Sequence, residues 1–139
     1  MPIPSRLPAI AGVGFKPQHF ADIISGGRMQ ITVGVGYVPH EFKMFGHEMK
    51  DRGRLVDEKL PSFLAALRGD EFEYRGTRMR VTPASLQSPR VPVLGGGSVR
   101  ASALRAARYC DGFYLTPQET DLIDVYKEEC QRLGRPGLA

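Results

Sequence analysis

The chain switches between two hydrophobic periods. MQITVGVG at 29–36 is a short apolar run with β-branched residues and closing glycines, the pattern of a buried strand. Further on, Val56, Leu60, Phe63, Leu64 and Leu67 recur at helical spacing and define one face of a helix that Gly69 ends. Pro61 falls inside that pattern, and because it lacks an amide hydrogen, a kink or a restart of the helix is expected there. EFEYRGTRMRV at 71–81 reads as two short strands joined at Arg75-Gly76-Thr77, a β-hairpin. Val91–Leu94 is a second buried strand, and Ser98–Tyr109 a helix with Ala103, Leu104 and Ala107 on one face. Phe113–Leu115 forms a third strand, followed from about Pro117 to Leu133 by a helix carrying Leu122, Val125, Tyr126 and Leu133. Strands alternating with helices imply βαβ units and a parallel sheet, an α/β class in which the hairpin is an insertion.

Composition narrows this picture only a little. A chain of 139 residues with 42% hydrophobic content fits a single domain with a core of its own. No apolar run approaches the ~18 residues of a membrane span, and residues 1–14 lack the basic start and apolar stretch of a secretory signal, so a cytoplasmic setting is expected. Cys110 and Cys130 lack metal-ligand spacing and are expected as buried or half-buried thiols. His19, His40 and His47 carry no HExxH and no accompanying carboxylate pattern, so no zinc site is expected; His40 stays a candidate for ligand contact because of its place after the first strand. No Ser/His/Asp or Cys/His nucleophile arrangement can be read.

Charge is more informative in its distribution than in its sum of +4. From Arg75 to Arg108 there are seven arginines (75, 78, 80, 90, 100, 105 and 108) and no acidic residue, whereas Asp111, Glu119, Asp121, Asp124, Glu128 and Glu129 make the last third acidic. A nucleic-acid surface adds interleaved aromatics or a groove-reading motif, and neither is present. A localized anion site or a solvated arginine face remains.

In parallel βα architectures ligands sit at the carboxyl ends of the strands. Those ends hold Gly34, Gly36, Tyr37 and His40 after the first strand, Gly95–Ser98 after the second, and Leu115 and Thr116 after the third. The stretch VLGGGSVR has the sharpest chemistry. Glycines let backbone N–H groups approach an anion, and a following helix N-terminus adds unpaired donors and a positive dipole end. Ser98 would either cap the helix or donate to a phosphate oxygen, with Arg100 in reach. A flexible connection in which Ser98 only caps explains the same residues, and the GxGxxG and GxxxxGK[ST] fingerprints are absent. The residues alone leave both readings open. Gly34-Val35-Gly36 is equally explained by close packing.

SGGRMQITVGVGYVPHEFKMFG, then DRGRLVDEKLPSFLAALRGDEFEYRGTRMRV, then PVLGGGSVRASALRAARYCDGFY, in this order, resemble the luciferase-like monooxygenase superfamily of FMN-dependent and coenzyme F-420-dependent oxidoreductases, from about His19 to Gly134. The resemblance implies a TIM-type (β/α)₈ barrel with a flavin or deazaflavin at its carboxyl rim. GVGY would end the fourth strand, PVLGGG the fifth and GFYLT the sixth, with the hairpin a family feature. By the same resemblance Gly96, Gly97 and Ser98 hold the cofactor phosphate, Thr116 adds a hydroxyl, and Gly36 and Tyr37 lie near the ring system or the sugar-like chain. The cofactor is FMN or coenzyme F-420, and no catalytic acid or base is implied.

A full barrel takes ~250 residues, and this chain supplies about three of its βα units. The expectation is therefore a partial TIM-type (β/α) barrel with an inserted β-hairpin, a truncated member or a fragment. Residues 19–134 form the family-like region and 1–18 a divergent segment in which Pro4, Pro8 and Pro17 break the helix expected before SGGR. An open piece of barrel leaves strand edges unpaired, so a homo-oligomer or a partner chain is expected alongside a small-molecule cofactor and substrate, with no nucleic acid and no membrane. The function implied is that of a flavin- or deazaflavin-dependent oxidoreductase or monooxygenase. A non-catalytic flavin- or phosphate-binding remnant is the alternative.

Overall fold

The computed structural model describes residues 17–115 and 120–137. In chain order the elements are α1 (Pro17–Ser25), β1 (Ile31–Val33), α2 (Pro39–Met44), α3 (Arg52–Arg68), the strands β2 (Phe72–Tyr74) and β3 (Thr77–Met79), β4 (Val93–Gly96), α4 (Arg100–Tyr109), β5 (Gly112–Tyr114) and α5 (Asp121–Arg132). They divide into two compact units, one made of residues 17–27 with Gly36–Arg90, the other of Arg28–Val35 with the described residues from Val91 on. None of these helices is long and apolar enough to cross a membrane.

The second unit is a parallel βα sheet in the order β1-β4-β5. Its register runs from Ile31↔Val93 to Val33↔Gly95 and from Leu94↔Gly112 to Gly96↔Tyr114. The predicted strands are present but displaced: the first is confined to three residues, and the second shifts forward so that Gly95 and Gly96 belong to the strand, not to the loop after it. Packing explains the shift. Gly95 is buried beneath α4, and a Cβ there would stand 2.6 Å from the Ala106 Cβ, so a glycine inside the strand lets the helix approach closely. The buried face of α4 is Ser102, Ala103, Ala106 and Ala107, while Leu104, expected on it, is only half-buried.

Helix α5 packs on α4 through Leu122, Tyr126, Glu129 and Cys130, and Phe113 of β5 stacks on the Tyr126 ring at 5.6 Å. Both cysteines are buried thiols, as expected. Asp111 ties the two strands together: its carboxylate accepts from the Val93 N–H (2.8 Å) and its own N–H donates to the Val93 carbonyl (2.8 Å). The Arg135 guanidinium donates to the carbonyls of Ala107 (2.6 Å) and Cys110 (3.0 Å), satisfying acceptors that the end of α4 leaves open. Among the described residues β1 and β5 are the open edges of this sheet.

The first unit is organised around α3. Its apolar face, Val56, Leu60, Phe63, Leu64 and Leu67, is buried as the spacing predicts, and Gly69 closes it in the left-handed conformation (φ 74°). The helix does not restart at Pro61. It runs unbroken from Arg52 to Arg68 with the proline on its exposed side, because burial of the residues around it outweighs the ~3 kcal/mol that a helix-interior proline costs. The hairpin is present with Phe72 opposite Met79 and Tyr74 opposite Thr77. Arg75 (φ 51°) and Gly76 (φ 75°) both take the positive φ that a tight two-residue hairpin turn demands.

Helix α1 overturns the expectation that Pro17 prevents a helix before SGGR. Pro17 occupies its first position, where the missing N–H would have had no helical partner. The face that α1 buries is polar. His19 Nε2 donates to the Ala66 carbonyl on α3 (3.1 Å). The Asp22 carboxylate accepts from the backbone N–H of Leu86 (2.7 Å) and Gln87 (3.2 Å) and from Gln87 Nε2 (2.8 Å). Burial pushes the Asp22 carboxyl up, but the Gln87 and Leu86 hydrogen bonds and the nearby His19 together hold it below its usual value. Phe20, Ile23 and Ile24 are left outside.

Candidate functional site

The junction from β4 to α4 carries the sharpest chemistry, and its three glycines serve three different ends. Gly95 is a packing residue beneath Ala106. Gly96 faces β1, where a Cβ would meet Thr32 Cγ2 at 3.3 Å. Gly97 lies over the first turn of α4, and a Cβ there would collide with the Ser102 side chain, its Oγ above all. No residue larger than glycine fits position 97 without displacing Ser102.

Ser98 does not cap the helix. Val99 occupies the N-cap position in an extended conformation (φ −135°, ψ 154°), without a side-chain cap, and Ser98 stands one residue outside it with its side chain exposed. Valine has no oxygen to offer the first-turn amides, and no acidic residue occupies that turn. The Val99 carbonyl receives the N–H of Ser102 (2.8 Å) and of Ala103 (3.4 Å). Arg100 adds a cation at the positive end of the helix dipole, an arrangement unfavourable by about 0.3–1 kcal/mol that a bound anion would reverse.

Ser102 is the residue that reading the sequence missed. It is only 3% exposed, and its Oγ has no hydrogen-bond partner. A buried hydroxyl left in this state costs about 1–3 kcal/mol. The signal was available: Ser102 is four residues before Ala106, which places a hydroxyl on the buried face of an alanine-rich helix. A glycine that cannot carry a side chain, an uncapped helix start and an orphaned hydroxyl together form a cradle suited to a phosphate-like anion.

Of the residues predicted for the site, the structure gathers Gly96, Gly97 and Ser98 at this junction. Gly36 and Tyr37 belong to the other unit. Gly36 has φ 78° and packs against the Phe42 ring, and Tyr37 is 83% exposed. His40 is exposed at the start of α2, and Thr116 lies outside the described residues. No group of three or more His, Cys, Asp or Glu side chains suited to a metal ion occurs among the described residues.

Part of the arginine-rich stretch is structural. Arg108 (3.4 Å) and, from α5, Arg132 (2.7 Å) engage the buried Glu129 carboxylate. The hydrogen bonds from Arg132, aided by Arg108, overcome the cost of burial and hold the Glu129 pKa down to about 2. Arg100 is exposed beside the cradle.

Residues 6–137 match the luciferase-like monooxygenase family. The FMNH₂-dependent dimethylsulfone monooxygenase of Pseudomonas putida is 31% identical over 134 residues, 88% of this chain and 35% of the relative. The crystal structure of monooxygenase RslO1 from Streptomyces bottropensis superimposes with a TM-score of 0.68 at 23% identity, covering 85% of this chain and 40% of that one. An F420-dependent secondary alcohol dehydrogenase, in complex with an F420-acetone adduct, gives 0.66 at 18% identity, covering 86% and 39%. These likenesses show the fold, a partial TIM-type (β/α) barrel. The chain spans less than half the length of the curated relatives it matches.

Proposed function

The chain belongs to the luciferase-like monooxygenase family, and from that membership we propose that it serves a flavin- or deazaflavin-dependent oxidoreductase, holding the cofactor phosphate at Gly96, Gly97, Ser98 and the N-terminus of α4. The observation that carries this reading is the pairing of Gly97 with the orphaned Ser102 hydroxyl at an uncapped, acid-free helix start. The residues present fit a phosphate. Backbone N–H groups and the dipole end face it, the exposed Ser98 hydroxyl can donate, and Arg100 supplies charge from the rim.

FMN or coenzyme F-420 is the proposed cofactor, in keeping with one relative named for FMNH₂ and one structural neighbour named for F420. The bound cofactor would supply the redox chemistry, and this chain's residues bind its phosphate and fix its orientation. On the family resemblance Gly36, Tyr37 and Thr116 are proposed to contact the rest of the cofactor, with a small molecule as substrate. Titration of the purified chain with FMN and with coenzyme F-420 tests the reading: saturable binding of either supports it, and binding of neither by folded protein removes it.

Self-association is proposed alongside. The outer edges of β1 and β5 have no strand neighbour among the described residues, and α1 presents Phe20, Ile23 and Ile24 to solvent. A second copy would cover surfaces of this kind.

A further inference from the structure

We propose that Ser102 is an anion-binding residue, its hydroxyl donating to the phosphate received at Gly97 and the first turn of α4; this rests on the phosphate reading above. Packing alone does not call for a serine here. The other buried positions of the helix, Ala103, Ala106 and Ala107, are all alanine, and an alanine at 102 would fill the same face without burying a donor. Nor does the hydroxyl serve the helix itself. It neither caps Val99 nor bonds back to a carbonyl of the preceding turn, the two uses a serine near a helix start usually finds.

Instead Ser102 Oγ is directed at Gly97, the one residue of the junction where any side chain would collide with it. A serine side chain moves between staggered wells by rotation about one bond, so the hydroxyl can meet a ligand oxygen without movement of the helix. A phosphate would pair the orphaned donor, and it would do so beside the first-turn amides and the positive dipole end, where a charge-assisted hydrogen bond is strongest.

The test is Ser102→Ala, compared with the unchanged protein by thermal melting without ligand and by fluorescence titration with FMN and F-420, with riboflavin or the phosphate-free deazaflavin as control and inorganic phosphate as competitor. A charge-assisted hydrogen bond predicts about ten- to a hundredfold weaker binding of the phosphorylated cofactor. The control's affinity should be unchanged, phosphate competition should weaken, and the melting temperature without ligand should be equal or higher. Equal cofactor affinity in S102A and the unchanged protein overturns the assignment while leaving the phosphate reading intact. So does a loss matched by the phosphate-free control, or one accompanied by a lower melting temperature. If the unchanged protein binds neither cofactor, both the assignment and the reading beneath it fall.

Discussion

A Cβ on Gly97 would collide with Ser102 Oγ. That relationship joins a strand-to-helix turn to the first turn of the helix it feeds, and it makes the size of residue 97 a condition for the shape of the cradle.

Gly95 and Gly97 should therefore respond differently to alanine. Each substitution overpacks the β4–α4 contact and is expected to cost about 1–3 kcal/mol in urea denaturation. Gly95→Ala presses on Ala106 behind the strand, and Gly97→Ala displaces Ser102 at the cradle. Cofactor titration of the folded variants should show weakened binding for Gly97→Ala and near-normal binding for Gly95→Ala. Equal losses from both would show that the two glycines serve packing alone.

Glu129 sets a pH dependence. Its folded pKa, about 2, is depressed from the ordinary carboxylate value of 4.5, so the stability it contributes is complete above about pH 4.5 and is lost as pH falls toward 2. The difference in melting temperature between the unchanged protein and Glu129→Gln should be largest near neutral pH and shrink across that window. A difference that stays constant down to pH 2 would contradict the Arg132 and Arg108 pairing.

Asp22 holds the segment at 86–87 through three accepted hydrogen bonds. Asp22→Ala leaves those donors without their acceptor and is expected to destabilise by about 1–3 kcal/mol or more in chemical denaturation. Because its pKa is depressed, the contribution is present above the usual carboxylate value and is lost as pH falls through the lower folded one. An Asp22→Ala variant as stable as the unchanged protein would mean that the segment is held by other contacts.

Ile24 is 84% exposed on α1. Size-exclusion chromatography with light scattering should show a dimer or larger species, shifted toward monomer by Ile24→Glu. A compact, stable monomer of the unchanged protein would contradict self-association.

What could be read from the sequence followed from local physics. The α3 face and its Gly69 stop depend on helical spacing and one backbone conformation, and the hairpin depends on the Arg75-Gly76 turn; all three are present. The misjudged features depend on contacts distant in the chain. Whether Gly95 is strand or loop is decided by Ala106, and the polar buried face of α1 is decided by Ala66, Leu86 and Gln87. Serine favours the N-cap, one of the two roles open to Ser98, but the helix begins later, at Arg100, and leaves the cap to a valine. The spacing of Ser102 to Ala106 puts a hydroxyl on the buried face of α4, but that this hydroxyl lacks a partner depends on contacts distant in the chain.

The most direct test of the central claim is fluorescence titration of the folded chain with FMN and with coenzyme F-420 in the presence and absence of inorganic phosphate. Saturable binding of one cofactor, weakened by added phosphate and by Gly97→Ala, is the predicted result; accompanying turnover would mark an oxidoreductase, and binding without turnover a cofactor-binding remnant. Absence of binding to both cofactors, or binding indifferent to phosphate and to position 97, would contradict it.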